Sequence, residues 1–108
     1  MRRYKFIFTY SVSPNGEEDR KTRLTDKVRR KIAEIDKIGW KKLDNVETTF
    51  AGDITLTSLE LSRKRDEATS IVEKEIRSVI DEHDAYSDIW VHIALMIDGL
   101  GEHIDIRI

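Results

Sequence analysis

The 108-residue chain predicts an α+β domain built on an antiparallel sheet, and three observations carry that prediction. Residues Tyr4 to Val12 alternate with the two-residue period of a half-buried strand. Two later segments repeat apolar residues every three or four positions, as helices with one apolar stripe do. Ile89 to Ile97 is apolar almost throughout and is bounded by polar turns.

In the first strand Tyr4, Phe6, Phe8, Tyr10 and Val12 share one face, with Lys5, Ile7, Thr9 and Ser11 on the other. Ser13-Pro14-Asn15-Gly16 ends it, because Pro14 has no ladder donor and Gly16 tolerates a positive φ. Acidic Glu17, Glu18 and Asp19 suit the positive end of a helix dipole, and a helix is expected from about Glu18 to Asp36. Its stripe is Leu24, Val28, Ile32 and Ile35, and Gly39 is the expected stop. Trp40 to Phe50 reads as a strand with Asn45 as a bulge or turn, Gly52-Asp53 as a hairpin turn, and Ile54 to about Leu61 as the returning strand. A second helix is expected over about Arg63 to His83, with Ala68, Ile71, Val72, Ile76, Val79 and Ile80 on one face. Ser62 is an available N-cap, or Thr57 with Glu60 forms a capping box that starts the helix earlier. The run at 89–97 needs cover on both faces, and His103 to Ile108 alternates as a half-buried edge strand.

The order is β-α-β-β-α-β plus a C-terminal edge strand, in one domain spanning residues 1–108. Two crossovers around a hairpin place both helices on one face of an antiparallel sheet, the ferredoxin-like arrangement. The uncovered face and the terminal strand lead to the expectation of a homodimer, with Trp90, His92, Ile104, Ile106 and Ile108 at its interface.

Composition excludes several classes. With 39% hydrophobic residues and 37% charged ones that nearly cancel to a net −2, the chain is not a disordered tail. The absence of Cys removes disulfides, Cys-based metal sites and thiol nucleophiles. No apolar run approaches the roughly 20 residues that span a bilayer, and Met1-Arg2-Arg3 leads straight into a strand without a signal-peptide core, so a soluble cytoplasmic protein with no membrane partner is expected. The small net charge conceals a division: residues 1–42 carry 13 basic and 6 acidic side chains, residues 43–108 carry 6 and 15. Such asymmetry suits a nucleic-acid face, a steered protein partner or self-association, although charge runs are commonly solvated faces.

Three groups of residues invite chemistry. The aromatic stripe Tyr4, Phe6, Phe8 and Tyr10 is either helix-facing core or a base-stacking platform, and the polar opposite face of the strand favours core. The helix cations Arg20, Arg23, Lys27, Arg30 and Lys31 suit phosphate neutralisation, a reading weakened by pairing such as Asp26 with Arg30. Asp81-Glu82-His83-Asp84 with Asp88 offers oxygen ligands, but consecutive residues at a helix end diverge, so no metal site and no cofactor is expected. His92 and His103 have no sequence partner for catalysis, and Asp98-Gly99-Leu100-Gly101 leads to a strand and so lacks the context of a phosphate loop.

A first strand ending in an aromatic, a basic helix, Gly39-Trp40, then Val46-Glu47-Thr48-Thr49-Phe50-Ala51-Gly52, a second helix and a late terminal strand resembles the ferredoxin-like CRISPR-adaptation protein and toxin–antitoxin endoribonuclease superfamily. The likeness covers most of the chain in topology and only short stretches in residue type. It implies dimerisation through the sheet, exchange of terminal strands, and an Asp at the end of the first strand, in a Tyr-Asp-apolar triplet, as metal ligand. Here that triplet is Tyr10-Ser11-Val12, and a neutral hydroxyl is a poor hard-cation ligand. The expected function is therefore a small dimeric module that binds RNA or DNA, or regulates through it, without cutting. The alternatives are a protein-binding inhibitor or antitoxin of phage or plasmid origin and a metal-dependent endoribonuclease, whose catalytic residues are unknown.

Overall fold

Strand β1 (Arg2–Pro14) is the middle of everything that follows, because it is hydrogen-bonded on both edges. The computed structural model describes residues 1–108. Helix α1 (Asp19–Ala33), strands β2 (Trp40–Lys42) and β3 (Thr49–Leu56), helix α2 (Leu61–Glu82) and strands β4 (Ile89–Ile97) and β5 (Ile104–Arg107) complete an α+β domain. The five strands form one antiparallel sheet in the order β2-β3-β1-β4-β5. A reciprocal pair of bonds between Val91 and Ile108 carries the last ladder to the end of the chain.

The alternation of β1 decides where the core lies. Phe6, Phe8, Tyr10 and Val12 are buried with Val28 and Ile32 of α1 and Ala68, Val72 and Ile76 of α2 in one cluster of 22 residues. Both helices therefore cover the same sheet face, and Lys5, Ile7, Thr9 and Ser11 look out on the other. Phe8 packs against Phe50 at 5.2 Å and edge-on against Trp40 at 5.3 Å between ring centroids. Phe6, Phe8 and Tyr10 of the aromatic stripe are thus core and offer no platform for bases, while Tyr4 at its start is half-buried. Each fully buried Phe, Leu or Ile contributes about 1.5–3 kcal/mol over its exposed state.

The hairpin differs from the expected one. β3 runs unbroken through Gly52 and Asp53, and the chain reverses over residues 43–48 instead. Gly52 is there because another backbone comes close: it lies opposite Trp40, has a φ of 155°, and a Cβ on it would fall 1.8 Å from the Gly39 carbonyl oxygen. Asp53 N–H donates to that same oxygen at 2.9 Å.

Helix ends also shift. α1 stops at Ala33, where Glu34 N–H and Ile35 N–H donate to carbonyls three residues back, so Gly39 is a turn residue and not the stop. α2 starts at Leu61, and Ser62 lies inside it. No side chain caps it, neither Ser62 nor a Thr57–Glu60 box; ahead of the helix the Glu67 carboxylate accepts from the N–H groups of Ser58 and Thr57 and from the Thr57 hydroxyl, which holds its pKa below the usual range. At the other end, Ala85 N–H donates to Ile80 and Asp84 N–H to Asp81, with Asp84 at a φ of 48°. This is a Schellman close made with Asp where Gly is usual. β5 is shorter than expected, and β4 buries one face only: Val91, Ile93 and Leu95 are inside, while Trp90, His92 and Met96 are exposed.

Gly52→Ala should cost about 2–4 kcal/mol, because positive φ and a backbone clash act together. Urea unfolding measures it, and a midpoint equal to wild type would show that the Gly39–Gly52 approach is looser than described.

Candidate functional site

The five cations singled out on the first helix lie on α1 and are all exposed, yet they are not equivalent. Arg20 makes a two-pronged contact with Asp88, at 3.0 and 3.1 Å, and also lies 3.7 Å from Glu18. The pairing pushes the Asp88 carboxyl below its ordinary value and the Arg20 guanidinium above its own. Asn15 accompanies it, its N–H donating to the Asp88 carbonyl and its side-chain amide to that of Ser87. Lys31 is 3.2 Å from Glu34. Asp26 pairs with Arg29 at 2.8 Å, where pairing with Arg30 was expected, and Arg29 also donates to the Val12 carbonyl.

Arg23, Lys27 and Arg30 are left with no carboxylate within ion-pair distance. Their spacing of four and three puts them on one helix face. Arg23 and Lys27 line a groove of about 420 Å³ between α1 and the end of α2, together with Arg20, His83, Asp84 and Asp88. His83 Nδ1 sits 2.9 Å from the Val79 carbonyl oxygen, which accepts only, so the ring proton belongs on Nδ1. The groove offers an anion the Arg23 guanidinium fork and the Lys27 ammonium, both on long stems, beside the carboxylates of Asp84 and Asp88.

The expected interface residues separate. Trp90 and His92 stand on the open sheet face, at 45% exposure for Trp90, whereas Ile104 and Ile108 pack against the chain's own core and Ile106 is buried in it. β5 turns its isoleucines towards the helices because Asp105 and Arg107 alternate outward. Ile106 is therefore unavailable to a partner. Sequence reading missed Ile7 and Met96, which face each other across β1 and β4 on the open side and are 44% and 47% exposed. Ile7 was legible as the one large apolar residue on the polar face of its strand.

No three His, Asp or Glu side chains gather in a metal-holding group; Ser11 stands opposite His92, and the acidic run at 81–84 divides among the helix end, the Schellman close and the groove. No helix is long and apolar enough to cross a membrane. No family model, curated protein or solved structure matches the chain.

One buried group lies beneath α1. The Tyr10 hydroxyl is inside without a hydrogen-bond partner, and burial pushes its pKa from 10.0 up to about 12 against the opposing pull of Arg29. The folded protein keeps this proton to higher pH than the unfolded chain does, so stability is full below pH 10 and falls as pH rises towards 12. Tyr10→Phe should remove this loss and raise stability at neutral pH by about 1 kcal/mol. Thermal unfolding between pH 7 and 11.5 tests both effects, and a destabilised variant at pH 7 would reveal a partner for the hydroxyl.

Proposed function

We propose that the chain is a dimeric binding module of ferredoxin-like topology that associates with nucleic acid and does not cut it. The strand order β2-β3-β1-β4 supports the topology, since it is the order that two interleaved split β-α-β units produce. The observation that carries the functional reading is the unpaired trio Arg23, Lys27 and Arg30 along one exposed face of α1. Cations already paired with carboxylates gain little from a phosphate, whereas unpaired ones release its counterions at no cost in broken pairs. Binding of this kind is indifferent to sequence and steep in salt. Ser11 in place of a carboxylate supports binding over metal-assisted cleavage.

The open face supports self-association. Ile7 and Met96, with Ala51 and Ala94 beside them, form an apolar strip on which a second copy removes three exposed large side chains, Trp90 included, from water. The same strip favours the second reading, a protein-binding inhibitor or antitoxin, in which the occupant is a different chain.

Labelled single- and double-stranded RNA and DNA should bind with a slope of log K against log salt of about −2 to −3 per chain, from about −0.7 to −0.9 for each of three phosphates. Arg23→Glu with Arg30→Glu should abolish the complex, while absence of binding at low salt would sink the reading. Ile7→Lys with Met96→Lys should yield a folded monomer in sedimentation runs where the wild type is dimeric; a monomeric wild type at high concentration removes the dimer.

A further inference from the structure

At the end of β1 opposite the α1 groove, Arg2, Arg3, Lys5 and Lys64 line a second concavity of about 450 Å³ with Tyr4 and Asp98. Arg2 and Lys64 are held over the Tyr4 ring, at 5.5 and 5.3 Å from its centroid. A ring face fixes a cation without neutralising it, unlike a carboxylate. Of the four cations only Lys5 has an ion-pair partner, Asp53 at a long 3.7 Å with both side chains well exposed. Arg2 and Lys64 stand with Tyr4 on the helix side of β1 and Arg3 and Lys5 alternate to its open side, so the four cations reach the hollow from both sides of the strand end, with Asp98 the one carboxylate that lines it. The 98–102 loop that forms its wall is braced by Arg65, whose guanidinium donates to the carbonyls of Leu100 and Glu102 at 2.6 Å each. The hollow is therefore walled by a fastened loop and lined by more cations than carboxylates.

We propose that this hollow is a phosphate-binding site for a phosphate monoester, the group found at the 5′ end of a nucleic-acid strand and on a free nucleotide. Its concavity suits a small tetrahedral dianion met by cations from both sides of the strand end, and suits a flat anionic membrane surface poorly. It shares no residue with the α1 groove, so either site stands if the other falls.

Amide chemical shifts of the full chain, titrated with inorganic phosphate, with AMP, and with one short oligonucleotide with and without a 5′-phosphate, test the site. With inorganic phosphate and AMP, saturable shifts confined to residues 2–5, 64 and 98–100 are expected, with about tenfold weaker binding in Arg3→Ala with Lys64→Ala. Arg23→Glu with Arg30→Glu should leave the phosphate shifts intact, which separates this site from the α1 reading. Stronger response to AMP assigns a nucleotide, and a 5′-phosphate-dependent response assigns a strand end. Shifts spread over all surface lysines, shifts unchanged in a double variant that melts like wild type, or binding to phosphatidylserine vesicles that phosphate does not compete would each overturn the proposal.

Discussion

Burial of a single face of β1 is the constraint on which the rest of the molecule depends. Its partners β3 and β4 present Phe50 and Leu95 to the same side as Phe8, so the register of three strands is fixed by one apolar layer. A slip of one residue would bring Lys5, Thr9 and Ser11 under the helices and turn the aromatic rings to water. The two helices then have no choice of side, since only one face offers them apolar contact. Trp40 closes the layer at the edge, standing over Phe6 and Phe8, which explains why so short a strand as β2 is held in place.

Much of this was legible from periodicity. The alternation in β1, the stripes of both helices and the bounds of β4 follow from apolar spacing that each element needs in order to bury one side. What escaped depended on distant neighbours. Gly52-Asp53 has the composition of a turn, but the reason for Gly52 lies in the backbone at Gly39, which no local window contains. β4 reads as apolar on both faces because Trp90, Ala94 and Met96 carry no charge, yet nothing in the chain covers them.

The basic helix shows the same division between local and distant causes. Its cations were visible as a set, but which of them remain free is decided by tertiary pairing. Arg20 is taken by Asp88, which enters from the connection between α2 and β4. Arg29 is turned inward to Val12, and that leaves Arg30 outside the pair foreseen for it. The hollow around Tyr4 was invisible for the same reason: its cations come from β1 and α2, and its fourth wall from the loop after β4.

The place of β1 in the sheet also sets the order in which the fold can assemble. One edge of this strand is satisfied by β3 early in the chain, but the other waits for β4, so that Phe6 meets Ile97 only after nearly the whole sequence is available. Contacts this remote in sequence make folding slow relative to a helical bundle of equal size. During that interval the first strand holds an open edge and a row of aromatic side chains, the combination most prone to pairing with a neighbouring chain. Arg2, Arg3 and Lys5, at the head of the strand, place like charges on that edge. Like charges at matching positions oppose the edge-to-edge pairing of two such strands.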